Sequence, residues 1–394
     1  MVNKLVIIGV IILGVIAIAQ LIRVYEISSK LRGKNEGEIS TRDNRLNANM
    51  MLLFMFFFFG GFIWLMLAYG WTGRGEAASL HGKETDWLLN LNFIIIIAVF
   101  FLTNTLLFVF AYKYVKKIGV PAYYYPHNNK LEMMWTIAPA IVLAVIIILG
   151  LRTWNEVTSS AQPESIRVEL FSKQFDWTAR YSGVDNILGK FDYKLTTDNN
   201  ELAIMTTNTI DSAIHNMENG SDGINLLESK LNDETLIFSD SDRSALLIDL
   251  DRKHKLVRLL YQMKSRHDSN LDSRAWDDFI QKDTLYLCKG KEYEFNFRSK
   301  DVIHSAYFPH FRAQMNTVPG MTTRFKFIPT ITTLEMRDKK KDNNFNYALL
   351  CNKICGGAHY KMKMMVVVLE ETAYKSWLDS KLTQTFKDKY FASN

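Results

Sequence analysis

Four long apolar runs occupy the first two-fifths of the chain and constrain its fold more than any other feature. The first covers residues 5–22, and the others cover residues 48–71, 88–112 and 134–151. Each run approaches the ~20 apolar residues that a helix needs to cross the hydrocarbon core of a bilayer. No comparable run follows Arg152 in this 394-residue sequence. The pattern therefore predicts four membrane spans followed by a water-soluble domain.

Basic side chains indicate how the four spans are oriented. Tryptophans lie near the ends of the runs, as interfacial anchors do: Trp64, Trp71, Trp87 and Trp135. Two connecting segments are rich in lysine and arginine: Arg23, Lys30, Arg32, Lys34, Arg42 and Arg45 in the first, and Lys113, Lys116, Lys117 and Lys130 in the other. The segment between the second and third runs holds only Arg74 and Lys83. The positive-inside rule places the two rich segments in the cytoplasm, so the soluble domain is expected outside.

The first run has an alternative interpretation as a secretory signal, since Ala17, Ile18 and Ala19 fit a small-residue cleavage site. Cleavage would leave three spans and would place the soluble domain in the cytoplasm. The basic segments favour an uncleaved span. Most of the formal net charge of +6 belongs to the membrane part, so the composition does not indicate a strongly basic, nucleic-acid-binding surface on the soluble domain.

Short stretches with alternating apolar and polar residues follow Ser165, for example IRVELF, EYEFNF and MKMMVVVL. Such stretches, separated by Gly, Pro and Asn turns, predict an all-β sandwich or barrel. Residues 192–284 interrupt it as a polar insertion, with one amphipathic helix expected at about 246–264. The insertion is interpreted either as a lid packed on the β domain or as a docking surface for another subunit. The run Lys339–Lys341 is expected in a solvated hairpin turn, and residues 372–394 as a closing helix and tail.

Residues 351–362 (CNKICGGAHYKM) carry a compact set of soft ligands. They comprise Cys351, Cys355, His359 and Met362, and the segment KDVIHS supplies a second imidazole, His304. Thiolates and imidazoles without a carboxylate suit copper, zinc or iron–sulfur, and a weak thioether ligand favours copper. Two cysteines on one loop can bridge two metals, so a binuclear copper centre is predicted, with a Cys2His2 zinc site as the alternative. The lone Cys288 is expected to be a buried structural thiol.

Five stretches of the sequence resemble subunit II of the haem–copper cytochrome c oxidases. They are the loop 351–362 itself, NNKLEMMWTIAP (128–139), KQFDW (173–177), RSKDVIHSAYFP (298–309) and TVPG (317–320). The resemblance implies a cupredoxin-like Greek-key domain formed by residues 152–191 and 285–371, preceded by the family's transmembrane hairpin at 88–151. Residues 1–47 and 48–87, each with one span, are additions to that plan.

The resemblance also implies roles for individual residues. Cys351 and Cys355 would bridge the two coppers of a CuA centre, and His304 and His359 would each bind one copper. Met362 and the backbone carbonyl of Lys353 would be the weak axial ligands. Asp301, three residues before His304, is a candidate to orient that imidazole, or else a turn-capping residue. Phe175 and Trp177 match aromatic residues through which electrons arrive, although the family commonly has Trp at position 175.

Two further positions bear on partners of the chain. The family usually has Glu at position 353, where its carboxylate binds a magnesium or manganese ion shared with subunit I. A lysine ammonium has no acceptor, and Asn316 stands where the family often has Asp, so that ion is expected to be absent. Glu132 matches a glutamate at the entrance of a proton channel into subunit I. It also fits a helix-capping role three residues after Asn129.

The expected function is that of the copper-containing electron-accepting subunit of a proton-pumping cytochrome c oxidase in a bacterial inner membrane. It would take electrons from a cytochrome c, diffusing or membrane-bound, and pass them to haem in subunit I for reduction of oxygen. This chain has no C-x-x-C-H haem-attachment motif, so no haem is expected on it. A membrane-anchored copper-binding or assembly protein is the alternative; a quinol oxidase subunit and a nitrous oxide reductase domain fit the sequence less well.

Overall fold

A computed structural model of the protein describes residues 2–31, 40–70, 74–117 and 119–393. Within these ranges, four helices are long and apolar enough to cross a membrane. Each helix overlaps one of the predicted apolar runs and begins before it: α1 (Val2–Leu31), α2 (Thr41–Tyr69), α3 (Leu80–Lys113) and α4 (Asn129–Thr158). The second helix ends at Tyr69, before the last residues of its run. The predicted anchor Trp71 and the basic residues Arg32 and Lys34 lie outside the described residues.

Aromatic side chains join α2 to α3. The ring centroids of Phe59 and Phe101 lie 4.7 Å apart, and those of Phe62 and Phe100 lie 4.9 Å apart. Each such aromatic pair adds about 0.5–1.5 kcal/mol beyond the area that it buries. The added helix α2 therefore packs directly on the first helix of the predicted hairpin.

Two five-stranded sheets form the soluble domain. The first has the strand order β3-β2-β1-β5-β8 and the second has the order β4-β10-β9-β6-β7. The pairs β1–β5 and β4–β10 are parallel and all other pairs are antiparallel. The strands are β1 (Ile166–Lys173), β2 (Asp176–Tyr181), β3 (Phe279–Lys282), β4 (Thr284–Cys288), β5 (Tyr293–Ser299), β6 (His304–Phe308), β7 (Ala313–Thr317), β8 (Thr323–Phe327), β9 (Tyr347–Cys351) and β10 (Lys363–Leu369).

The chain changes sheet after β3, β4, β5, β7 and β8, which gives the sandwich its Greek-key connections. Phe295 of the first sheet and Phe308 of the second meet in the core with ring centroids 5.6 Å apart, and Phe327 stacks on Phe295 at 5.0 Å. All three side chains are at most 5% exposed. Four apolar helices followed by an all-β, cupredoxin-like domain confirm the fold that the sequence predicted.

On the outer face of the first sheet, several charged side chains are buried instead of exposed to solvent. Glu169 of β1 accepts hydrogen bonds from both Arg180 of β2 and Arg298 of β5, and Arg180 also pairs with Asp278 at 2.9 Å. All four residues are nearly inaccessible to solvent. Ions removed from water in this way persist only when they are paired and hydrogen-bonded. The carbonyls of Gly189 and Leu202 complete the set by accepting from the two guanidinium groups.

The insertion is more helical than the sequence predicted. Instead of one helix at about 246–264, it contains α5 (Thr207–Asn219), α6 (Ile224–Asn232), α7 (Asp240–Arg266) and the single turn α8 (Ser273–Trp276), and its last residues form β3. Ile210, Ile214, Ile224 and Leu260 give α5–α7 a small core of their own. The helices α5 and α6 are short and polar overall, which hid their apolar faces in the sequence. Leu202 and Ile204 pack on Phe171 of β1, so the start of the insertion covers the first sheet, as the lid interpretation expects.

The last helices close the domain. The run Lys339–Lys341 lies at the end of α9 (Thr333–Lys340) and not in a hairpin turn, because Thr332 and Glu335 form a capping box that starts a helix there. The closing helix is α10 (Glu371–Lys381), followed by α11 (Phe386–Ser393). Tyr374 and Trp377 of α10 pack against the core of the sandwich.

Residues before and at the start of α3 also pack on the sandwich. Ala78 is fully buried, and its backbone N–H donates to the carbonyl of His310 at 2.7 Å. The guanidinium group of Arg312 donates to both carboxylate oxygens of Asp86, at 2.9 and 3.1 Å, and to the carbonyl of Gly75 at 2.9 Å. A polar anchor therefore holds the segment that begins at Arg74 on the β domain.

Candidate metal centre

Every predicted ligand lies at one end of the sandwich, where strands of the second sheet end or begin. His304 is the first residue of β6, Cys351 is the last residue of β9, and Cys355, His359 and Met362 lie in the loop before β10. The antiparallel pairing of β6 with β9 brings the strand ends that carry His304 and Cys351 together. A rigid scaffold thus gathers groups from two distant parts of the sequence.

The ligand atoms form a tight cluster. The two Sγ atoms of Cys351 and Cys355 lie 3.8 Å apart, and Nδ1 of His304 lies 3.9 Å from Sγ of Cys351. Nδ1 of His359 and Sδ of Met362 lie 3.5 and 3.9 Å from Sγ of Cys355. The ligand atoms of His304, Cys351 and Cys355 are all within 4.8 Å of one another. The end of the sandwich therefore holds five soft donors around one small volume, four from the segment 351–362 and one from β6.

Glycine allows the cysteine loop to turn this tightly. Gly356 has a φ of +141°, a conformation that side chains disfavour. A Cβ atom at this position would lie 2.7 Å from Nε2 of Gln174 and 2.9 Å from the ring of Phe175. The missing side chain therefore lets the loop backbone lie directly against the hairpin between β1 and β2.

Asp301 fixes the orientation of the first imidazole. Its Oδ1 lies 2.8 Å from Nε2 of His304, which is fully buried. When Nε2 carries the proton and donates to this carboxylate, Nδ1 is left free to bind a metal on the side of Cys351. Burial alone would raise the pKa of Asp301, but hydrogen bonds from His304 and from the backbone N–H groups of Gln174 and Val302 lower it below its ordinary value.

Binding of a metal cation must remove the proton from the thiol of Cys355. Burial and the neighbouring Cys351 raise the pKa of the Cys355 thiol to about 11. The thiol is therefore protonated near neutral pH unless a cation binds, and binding must displace that proton because the thiolate is the ligand.

The donor set fits copper better than zinc. Thiolate, imidazole and thioether donors are the soft ligands that copper accepts. A tetrahedral Cys2His2 zinc site would use the thiolates and imidazoles but has no place for Met362, whose buried Sδ lies within 4 Å of Cys355. Cys288, in contrast, is buried at the far end of β4, where a structural thiol was expected.

The two predicted aromatic residues differ in their access to solvent. Phe175 is half-buried at the tip of the β1–β2 hairpin, against the cysteine loop. Trp177 is fully buried, and its ring centroid lies 6.2 Å from that of His304. The indole Nε1 has no hydrogen-bond partner among the described residues. A docked protein could touch Phe175 but not Trp177.

Lys353 contributes its backbone to the cluster and its side chain to the surface. Its carbonyl oxygen lies 3.2 Å from Sγ of Cys351, while the residue is exposed. Asn316 of β7 pairs with Ser305 of β6, and the carbonyl of Ser305 accepts a hydrogen bond from the backbone N–H of Asn352. Position 316 is therefore linked, through β6, to the start of the loop that carries Lys353.

Glu132 lies in the first turn of α4 and accepts a hydrogen bond from the backbone N–H of Asn128 at 3.2 Å. The side chain of Asn128 in turn accepts from the backbone N–H of Leu131. The N-cap is thus Asn128 and not Asn129, one residue earlier than predicted. Glu132 nevertheless satisfies a backbone donor at the end of the helix, as the capping interpretation expected.

Sequence reasoning missed Gln174, which contacts both the cysteine loop and the aspartate that orients His304. The backbone N–H of Gln174 donates to Oδ2 of Asp301 at 2.7 Å, and its side-chain amide donates to the carbonyl of Cys355. Its position in the KQFDW stretch, next to Phe175, was the available signal.

The chain is similar to several known proteins. Residues 68–153 match the family model for the transmembrane domain of cytochrome c oxidase subunit II. The chain is 23% identical over 330 residues to the alternative cytochrome c oxidase subunit 2 of Bradyrhizobium diazoefficiens, covering 84% of this chain and 87% of that protein. It is 22% identical to cytochrome c oxidase subunit 2 of Cereibacter sphaeroides, over 81% and 82% of the two chains.

A solved structure also matches the soluble part. The periplasmic domain of subunit II of cytochrome oxidase from Bradyrhizobium japonicum is similar at 12% identity, covering 57% of this chain and 98% of that domain, with a TM-score of 0.27. These relatives are subunits of an oxidoreductase complex.

Proposed function

Because this chain is a relative of cytochrome c oxidase subunit II, we propose that it is the copper-containing electron-accepting subunit of such an oxidase. It takes electrons from a cytochrome c and delivers them to haem in subunit I, where oxygen is reduced to water. The observation that carries the proposal is the cluster of His304, Cys351, Cys355, His359 and Met362, with a distance of 3.8 Å between the two Sγ atoms.

Each residue of the cluster has a defined part in this proposal. Cys351 and Cys355 would hold the coppers through their thiolates, His304 and His359 through one imidazole nitrogen each, and Met362 and the carbonyl of Lys353 as weaker ligands. A binuclear copper centre would supply one-electron transfer. His304, Cys355 and Met362 are buried, which excludes water from the site. The strands β6 and β9 hold His304 and Cys351 in place before the metal arrives.

Electrons are proposed to arrive at the end of the sandwich that carries the cysteine loop. Phe175 supports this role because it is partly exposed and lies against the loop. Trp177, which is buried next to His304, supports the packing of that imidazole and is not available for contact with a donor. Since Phe lacks the indole N–H of Trp, the donor surface must rely on packing at this position.

On the membrane side, we propose that the four spans place the metal domain outside a bacterial inner membrane, next to subunit I. Glu132 would lie at the cytoplasmic end of α4 and pass protons toward subunit I while it caps the helix. An ionisable group beside a membrane span supports a functional role. The ion shared with subunit I is proposed to be absent, with Lys353 supplying positive charge in its place.

Metal analysis of the full chain, expressed in a membrane and purified in detergent, tests the proposal. The full chain is needed because the segment from Arg74 to Asn90 packs on the β domain. Two coppers per chain, with an EPR spectrum of one electron delocalised over both, is the expected result. One zinc per chain, or a single copper, would contradict it and would favour a membrane-anchored metal-binding protein.

A further inference from the structure

We propose that Gln174 is a positioning residue that holds the cysteine loop and the His304 side of the metal centre in one arrangement. The inference rests on the proposed function, because it concerns the same copper ligands. Gln174 lies at the tip of the hairpin between β1 and β2 and is not itself a ligand.

The first contact reaches the cysteine loop. The side-chain amide of Gln174 donates a hydrogen bond to the carbonyl oxygen of Cys355. This bond fixes the peptide that follows Cys355, and therefore the direction of its Sγ toward Cys351 and His359. The amide can approach the loop this closely because residue 356 is glycine, and a Cβ atom there would collide with the same amide.

The second contact reaches the other half of the centre. The backbone N–H of Gln174 donates to Oδ2 of Asp301 at 2.7 Å, while Oδ1 of Asp301 lies 2.8 Å from Nε2 of His304. One residue thus connects Cys355 on the loop to His304 on β6, which are fifty-one positions apart in the sequence. Removal of the amide leaves the Asp301 contact intact, since that contact uses the backbone, so the two links can be tested separately.

The tip of the hairpin also packs against the cysteine loop. The ring of Phe175 lies against Gly356 so closely that a Cβ atom there would be 2.9 Å from two ring carbons. Loss of the amide bond would leave this packing and the loop's backbone hydrogen bonds, such as that from Asn352 to Ser305, as restraints. The loop should then loosen without unfolding, which is the behaviour of a positioning residue.

Substitution Gln174→Met tests the proposal, since Met has similar length and no donor. In the purified full chain loaded with copper, we expect two coppers per chain as in the wild type. A net hydrogen bond of this kind stabilises by about 0.5–1.5 kcal/mol, so extraction of copper by a chelator should be about three- to tenfold faster. The copper hyperfine splitting in the EPR spectrum should also change, because the thiolate geometry changes.

Two further variants make the result specific. Gln174→Glu keeps the shape but places a carboxylate oxygen against the carbonyl of Cys355, and should accelerate copper loss at least as much as Gln174→Met. Gln281→Met is the control, because the amide of Gln281 also donates to a backbone carbonyl, that of Lys282 on β3, but touches no part of the loop.

The outcomes separate this inference from the proposed function. A wild-type protein without a binuclear copper signal would overturn the proposed function itself. A wild-type protein with that signal, together with Gln174 variants whose copper extraction rates and EPR spectra match those of Gln281→Met, would overturn the positioning role alone.

Discussion

The carboxylate of Asp301 lies 2.8 Å from Nε2 of His304, three residues further along the chain and fully buried. The same carboxylate accepts from the backbone N–H of Val302 at 2.7 Å. The orienting role and the turn-capping role, which the sequence left as alternatives, therefore use the same side chain. A residue that satisfies the local turn is also placed to select the tautomer of a candidate metal ligand.

Substitution Asp301→Ala should lower the affinity of the full chain for copper by about 10–100-fold, the range found when a partner behind a metal ligand is removed. Without the carboxylate, the imidazole of His304 can rotate and exchange tautomers. The measurement is a competition titration against a copper chelator. Asp379→Asn, exposed on α10, is the control, and an Asp301→Ala protein that matches it would refute the orienting role.

Substitution of Cys355 should affect copper binding, whereas substitution of Cys288 should affect only stability. Cys355→Ser should abolish the binuclear EPR signal, because a hydroxyl does not bridge two coppers as a thiolate does. Cys288→Ala should leave two coppers per chain and lower the free energy of unfolding by about 1 kcal/mol, the effect of removing a small buried group. Loss of copper in the Cys288→Ala protein would show that the third thiol takes part in the centre.

The ion pair between Arg312 and Asp86 should contribute measurably to stability. Their side chains are 12% and 17% exposed and joined by two hydrogen bonds, so Asp86→Asn should lower the free energy of unfolding by about 1.5–3 kcal/mol. Thermal unfolding of the full chain in detergent measures this. The control Glu371→Gln breaks a pair that is 68% and 53% exposed and should change little. Equal effects of the two substitutions would contradict the proposed anchor.

Local patterns in the sequence predicted part of the structure, whereas contacts between distant segments were missed. Apolar length predicted the four spans, and alternation predicted strands such as β5, because both patterns are local. Glu169, Arg180 and Arg298 alternate with apolar residues as a solvated face would, yet they are buried, and Asp278 and the carbonyl of Leu202 in the insertion bind the two arginines. Their burial depends on which distant segments cover the sheet. The contacts of Gln174 were missed for the same reason, whereas the spacing of Cys351, Cys355, His359 and Met362 is local and indicated a metal site.

His310 should make the protein less stable in mild acid. Burial, together with the charges of Lys340 and Arg312, lowers the pKa of His310 to about 4 from its ordinary value of 6.5. The unfolded chain therefore binds more protons between pH 6.5 and 4, and the free energy of unfolding falls as the pH drops through that interval. Because the ring is only partly buried, the loss should be on the order of 1–2 kcal/mol.

Melting temperatures of the full chain between pH 7.5 and 4 test this effect. His310→Gln cannot titrate and should flatten the decline, while His215→Gln, on the exposed face of α5, should not. A decline that is unchanged in His310→Gln would assign the acid sensitivity to other groups.

Lys353 should determine whether the assembled oxidase holds a divalent ion beside the cysteine loop. Its ammonium group donates three hydrogen bonds and accepts none, and Asn316 lacks the carboxylate that magnesium and manganese prefer. Position 316 is linked to the loop through Ser305 and Asn352, so the two changes remove negative charge from one neighbourhood.

The wild-type oxidase from cells grown in manganese should therefore show no manganese EPR signal from this place. The double substitution Lys353→Glu with Asn316→Asp should restore two carboxylates and create that signal, whereas Lys361→Glu, exposed on the same loop, should not. A stoichiometric magnesium or manganese ion next to Lys353 in the wild-type oxidase would contradict the prediction and would leave the lysine side chain as a solvated surface group.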